Sequence, residues 1–155
     1  MSPRAACRLE AAGFGPAYDY AAGKADWLAA DEPFEGTAQL AGMFARRGVA
    51  TVGERTTAAV ALRLLETQGC GPVVVINHAG VVMGAGYRDQ LATAAAETTV
   101  ETVMRSGVST VRASEHAPAL AHRMTERGVT RTVVTRPDGT LIGLFFAADI
   151  SPQSS

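Results

Sequence analysis

Residues 37–91 align with residues 96–150 at a constant offset of 59, without a gap. Arg46 falls on Arg105, Gly48 on Gly107, Thr51 and Val52 on Thr110 and Val111, and Gly69 on Gly128. Val74 and Val75 fall on Val133 and Val134, Gly80 on Gly139, and Gly84 on Gly143. Identity is weak, yet glycines and β-branched residues return at the same punctuation points. Such a chain uses one supersecondary unit twice, which restricts it to folds in which two similar halves bury their apolar faces against each other.

Each copy opens with a short helical piece, "AQLAGMFARR" or "TVETVMRS", passes through an extended segment, "VATV" or "VSTV", and enters a longer helix. Ala58, Ala61, Leu62 and Leu65 in one copy, and Ala117, Leu120, Ala121 and Met124 in the other, are spaced i, i+3, i+4, i+7. That spacing predicts one buried face per helix. Gly69 and Gly128 stand where a helix C-terminus favours φ > 0. The runs "PVVVIN" and "RTVVTR" read as strands, the turn sequences "NHAG" and "RPDG" follow, and "VVMGAGY" and "TLIGLFF" supply second strands. Half a domain of this kind cannot cover both faces of its small sheet. The expected fold is therefore α+β, with two pseudo-twofold-related repeats packed face to face and a ligand-sized cleft between them.

Composition narrows the function. At 155 residues, with 47% apolar side chains, the chain can fill one core. Fourteen Lys and Arg against fifteen Asp and Glu give a net charge of -1, too little field to hold a nucleic-acid backbone along a broad face. No apolar run reaches the length of a membrane span, and "MSPRAACRLE" lacks a signal-peptide core, so a cytosolic protein is expected. Cys7 and Cys70 have no CxxC spacing, and His78, His116 and His122 form no ligand pair one helical turn apart. Neither a disulfide framework nor a metal site is predicted. No base and nucleophile pair and no Gly-rich phosphate loop stand out, so no catalytic residues are assigned.

The order of elements, with "GxxxxxVV", a turn glycine and then "GLFFAADI", resembles a tandem CBS domain pair, or Bateman module, over residues 37–150. Residues 1–36 are then an N-terminal extension and 151–155 a tail. The resemblance implies a non-enzymatic sensor or regulator that forms a homodimer. It also implies a cleft for an adenosine-containing regulatory ligand such as AMP, ADP, ATP or S-adenosylmethionine, with no further cofactor.

The family's ligand motif is a glycine, two apolar residues, a Thr or Ser, two variable residues and an Asp that holds the ribose hydroxyls. Gly143 and Asp149 fit it, while Phe146 stands at the hydroxyl position. In the first copy Gly84 fits, but Tyr87 takes the hydroxyl position and Gln90 the acid position. Gln90 offers one carbonyl acceptor and no charge, a poorer grip on a vicinal diol. By resemblance, the adenine lies against Ala50, the Cys70–Pro72 backbone including Gly71, and Leu144, with Asp149 on the ribose and Thr130 and Arg131 on the phosphate. Arg131 has Pro72 as its counterpart, so only one of the two symmetric sites keeps both an acid and a basic residue. Phe146 cannot hydrogen-bond a phosphate, which leaves a weak ligand, an altered ligand or an empty cleft as the expectations. Arg46 and Arg88 read as solubility residues.

The first forty residues contain "LEAAGFGPAYDYAAGKADWLAADEPFEG", which resembles the C-terminal end of a rhodanese-like domain. The catalytic cysteine of that family lies ahead of this stretch, and Cys7 sits within a predicted helix, as a packing residue. Trp27, Leu28 and Phe34 are too large for so small a stub to bury and are expected to dock on a neighbouring surface. Two rivals accompany the sensor reading. One is a structural or dimerisation module with an empty cleft. The other is a remnant sulfurtransferase using Cys7.

Overall fold

The computed structural model describes residues 11–13, 27, 39–68 and 71–150. Cys7, Gly69, Cys70, Leu28, Phe34, most of the N-terminal extension and the tail lie outside the described residues. Trp27 is helical and half-buried.

In chain order the elements are α1 (Ala41–Phe44), β1 (Thr51–Gly53), α2 (Ala58–Gln68), β2 (Val73–Ile76), β3 (Val82–Gly86), α3 (Arg88–Thr93), α4 (Val100–Val103), β4 (Arg105–Ser106), β5 (Thr110–Arg112), α5 (Ala117–Glu126), β6 (Arg131–Thr135) and β7 (Leu141–Phe146). A single 3-10 turn, Ala147–Asp149, follows. One sheet has the order β1-β2-β3-β4 and the other β5-β6-β7. In each, the first two strands are parallel and joined by the long helix, as a crossover requires, and the second and third form an antiparallel hairpin. The register slips at Val75/Ile76 in one hairpin and at Val134/Thr135 in the other, positions again 59 apart.

The helix faces largely follow the predicted spacing. Ala117, Leu120, Ala121 and Met124 are all buried on α5, and Ala58, Ala61 and Leu65 on α2, whereas Leu62 is only half-buried. Gly128 closes α5 with φ +65°, the left-handed turn expected there. Successive strand residues point to opposite faces. Val73 and Val75 join the core under α2, and Val134 and Phe145 the core under α5. Val74, Val133 and Leu144 meet between the two sheets, so the halves pack face to face. Near the pseudo-twofold axis Val81 bridges Thr140, with the Val82 N–H donating to the Gly139 carbonyl and the Leu141 N–H to that of Gly80, both at 3.1 Å.

The lead-in segments depart from expectation. Among the described residues "AQLAGMFARR" is helical only over Ala41–Phe44 and "TVETVMRS" only over Val100–Val103. Each segment also leaves its own copy and packs on the other. The Ala41 N–H donates to the Glu115 carbonyl and the Val100 N–H to that of Thr56, both at 2.8 Å. Ala41 is fully buried in the core under α5, and Val100 in the core under α2. Beyond the helical turn the chain straightens to add an edge. β4 pairs with β3, and Arg46 bridges Leu144 of β7, its N–H donating to the Leu144 carbonyl at 2.8 Å and its carbonyl accepting the Leu144 N–H at 3.1 Å. Helix continuation loses to these backbone bonds because an unpaired inner strand edge costs more than a short, marginal helix contributes.

Candidate functional site

The exchange of lead-in segments builds two clefts, one on each side of the axis. In both, a lead-in segment passes a hairpin end that carries an aromatic ring. Arg46 stacks over Phe146 with its guanidinium carbon 4.4 Å from the ring centroid, and the counterpart Arg105 stacks over Tyr87 at 4.9 Å. Two glycines permit the passage. A Cβ on Gly84 would stand 2.6 Å from the Arg105 carbonyl oxygen, and one on Gly143 would overlap the Arg46 carbonyl. Neither glycine has a positive φ. The motif glycine is therefore needed here for close approach of two backbones.

The first cleft, about 240 Å³, brings together Ala50, Gly71 and Phe146 from the predicted set, with Arg46, Arg47 and Gln68. Leu144 is buried beneath it, with Cδ1 3.4 Å from where a Cβ on Gly71 would sit. Asp149 stands beside this cleft on the 3-10 turn, which the Thr130 carbonyl anchors by accepting the Ala147 N–H at 3.1 Å. The Thr130 side chain is exposed and lies on the wall of neither cleft.

The Asp149 carboxylate is engaged at both oxygens. Arg46 donates Nε–H to Oδ2 at 2.9 Å and Nη2–H to Oδ1 at 2.5 Å, a forked pair across 103 residues. Arg46 is thus no solubility residue. It joins Asp149 and Phe146 in one knot, and its counterpart Arg105 has no acid to meet, because position 90 is a glutamine. The Gln90 Oε1 is buried without a hydrogen-bond partner among the described residues. Arg88, by contrast, makes an exposed pair with Glu66 at 3.1 Å, which contributes little.

Arg131 lies between the two clefts, with Nη1 3.4 Å from where a Cβ on Gly71, in the wall of the first, would sit. It lines the second cleft, a cavity of about 320 Å³ bounded by Tyr87, Arg105, Arg123, Arg127, Arg131 and Pro72 among others. The four arginines come from β4, from α5 and its C-terminal end, and from the start of β6. Their counterparts in the first copy are Arg46, Leu64, Gln68 and Pro72, so three of the four arginines are peculiar to the second copy, while Arg46 and Arg47 line the first cleft. Sequence reasoning missed Arg105, Arg123 and Arg127. The signal for Arg123 and Arg127 was the comparison of the two copies at the offset of 59, which sets them against Leu64 and Gln68, whereas Arg105 repeats Arg46.

Among the described residues no group of three or more His, Cys, Asp or Glu could hold a metal ion. No helix among them is long and apolar enough to cross a membrane.

Residues 100–151, about a third of the chain, match the model of the CBS domain family. The cytosolic domain of the Mg2+ channel MgtE, solved in complex with ATP, is similar over 72% of this chain at 23% identity with a TM-score of 0.65, and this chain spans 47% of its length. The CBS domains of a transcriptional regulator from Streptococcus pneumoniae are similar over 71% of this chain and 94% of their own at 23% identity and a TM-score of 0.63. CBSX2, solved in complex with AMP, is similar over 72% of this chain and 93% of its own at 22% identity and a TM-score of 0.63. No curated protein matches the sequence. The fold of residues 39–150 is that of a tandem CBS domain pair, with the second repeat matching the CBS domain family in sequence.

Proposed function

We propose that the chain is a non-catalytic regulatory module that takes an adenosine-containing ligand, of the class of AMP, ADP, ATP or S-adenosylmethionine, in the cleft beside Asp149. The observation that carries this reading is the convergence of Ala50, Gly71 and Phe146 on one cleft of a CBS-pair fold, with an acid at its edge. The AMP and ATP complexes of CBSX2 and MgtE support it by analogy of fold. Because Arg46 already holds both oxygens of Asp149, ligand entry exchanges one pair for two. Asp149 turns to the ribose hydroxyls, and the freed guanidinium turns to the phosphate. The same residues work in a homodimer, which light scattering of the purified protein tests.

The Arg46–Asp149–Phe146 knot also favours a second reading, a structural module whose cleft is closed by its own side chains. A thermal-shift series with AMP, ADP, ATP and S-adenosylmethionine separates the two. A ligand at a hundredfold its Kd adds about 2.7 kcal/mol of stability. A shift that Asp149→Ala abolishes supports the sensor. No shift with any of the four at millimolar concentration leaves the structural reading.

A further inference from the structure

The acid beside the first cleft is already taken by the chain itself. Both Asp149 oxygens accept hydrogen bonds from Arg46, Oδ2 from Nε at 2.9 Å and Oδ1 from Nη2 at 2.5 Å, while the guanidinium lies 4.4 Å over the Phe146 ring. A guanidinium fork and a vicinal diol present the same pattern to a carboxylate, two donors side by side with one for each oxygen. The two cannot both hold the acid in that manner. Arg46 therefore stands as an internal competitor of a ribose.

The other copy shows that the strand pairing does not need this fork. Arg105, the counterpart, joins its lead-in segment to β3 opposite Ala85 and stacks over Tyr87, with Gln90 rather than an acid at the matching position. The Arg46 segment likewise has its own backbone bonds to Leu144, at 2.8 and 3.1 Å. The fork is also open to displacement. Of the Arg46 side chain 52% faces solvent, and of the Asp149 side chain 24%, and exposed ion pairs hold weakly. A pair that the sheet can do without, that closes the acid and that exchanges readily, has the character of a latch.

We propose that Arg46 is an autoinhibitory latch on the Asp149 cleft, weakening any ligand that must take the acid through a diol and so raising the concentration at which the cleft fills. The inference rests on the reading of that cleft as an adenosine site. A ligand with a phosphate regains part of the loss by engaging the released guanidinium, whereas a bare nucleoside bears all of it.

The test is isothermal titration of the full-length protein and its Arg46→Ala variant with adenosine, 2′-deoxyadenosine and AMP. Adenosine is expected to bind Arg46→Ala about fivefold more tightly than the parent, the factor that a weak exposed pair can withhold. 2′-Deoxyadenosine, which has no vicinal diol, should change by less than about twofold, and AMP should gain less than adenosine because it loses a phosphate partner. Arg46→Met, which keeps an apolar stem over Phe146 and removes the donors, should show the same gain for adenosine and guards against a disturbed strand in Arg46→Ala. Adenosine affinity that is unchanged or falls in both variants overturns the latch, and AMP binding in the same series leaves the sensor standing. An equal gain for adenosine and 2′-deoxyadenosine overturns it too, since Arg46 would then block space rather than the acid. If AMP binds while adenosine binds neither parent nor variants, the latch alone falls; if none of the three binds any form, the adenosine reading of the cleft falls with it.

Discussion

Gly143→Ala tests the central structural claim, that each lead-in segment is sewn onto the sheet of the other copy. The new methyl group would overlap the Arg46 carbonyl oxygen and stand 3.0 Å from its carbon, both backbone atoms that cannot swing aside. The segment must retreat, and the two backbone hydrogen bonds between Arg46 and Leu144 lengthen or break. Two such bonds contribute about 1–3 kcal/mol together, and forcing extra volume into a packed site costs about 1–3 kcal/mol more. Because the retreat relieves part of the clash, the expected loss is about 2–4 kcal/mol. For a chain of this size that corresponds to about 6–12 °C in Tm. Urea unfolding gives the free energy and calorimetry the melting point. Gly53→Ala is the control, because nothing lies within 4 Å of its Cβ position and its φ is not positive. That variant should stay within about 0.5 kcal/mol of the parent. Gly84→Ala, whose Cβ would meet the Arg105 carbonyl oxygen at 2.6 Å, should fall with Gly143→Ala. If Gly143→Ala is as stable as Gly53→Ala, the crossing of the Arg46 segment over β7 is refuted.

Two further outcomes follow from single contacts. In a double-mutant cycle of Arg46→Ala and Asp149→Asn, the forked pair should show a coupling of about 1 kcal/mol, held down by the 52% exposure of the Arg46 side chain; additive losses would show that the pair is not formed. In the turn before β7, the Thr140 N–H and hydroxyl both donate to Asp138, the N–H at 2.9 Å and the hydroxyl at 2.7 Å, and hold its carboxyl below the usual value of 3.8. A folded-state pKa below the unfolded one means that this contribution is complete above pH 3.8 and is lost as pH falls through the lowered value. NMR titration should therefore place the Asp138 midpoint under 3.8, and Thr140→Val should raise it; a midpoint at or above 3.8 in the parent contradicts the hydrogen-bonded turn.

The repeat, the two long helices, the hairpins and the face-to-face packing were legible in the sequence because each rests on local rules. Apolar spacing fixes a helix face, turn residues fix a hairpin, and two incomplete halves can be completed only by each other. The departures come from pairings between residues far apart in the chain. "AQLAGMFARR" has the composition of a helix, yet Ala45 turns extended so that Arg46 can bond Leu144. Nothing within ten residues of Arg46 announces that partner. The same distance hid the site. Asp149 was recognisable from its motif, but its engagement by Arg46 was not. Arg131 was recognisable as a basic residue after the long helix, but its place between the two clefts, beside Gly71 of one and in the wall of the other, was not.

The sequence by itself determined that the protein is two copies of one unit and where Asp149 and its lost counterpart Gln90 stand. Tertiary structure alone decided that the acid is closed by an arginine from the other copy and that four arginines gather in the opposite cleft. The physical reason is that local propensity sets the elements, whereas the exchange of lead-in segments, driven by unpaired strand edges and apolar faces, sets which elements share a wall.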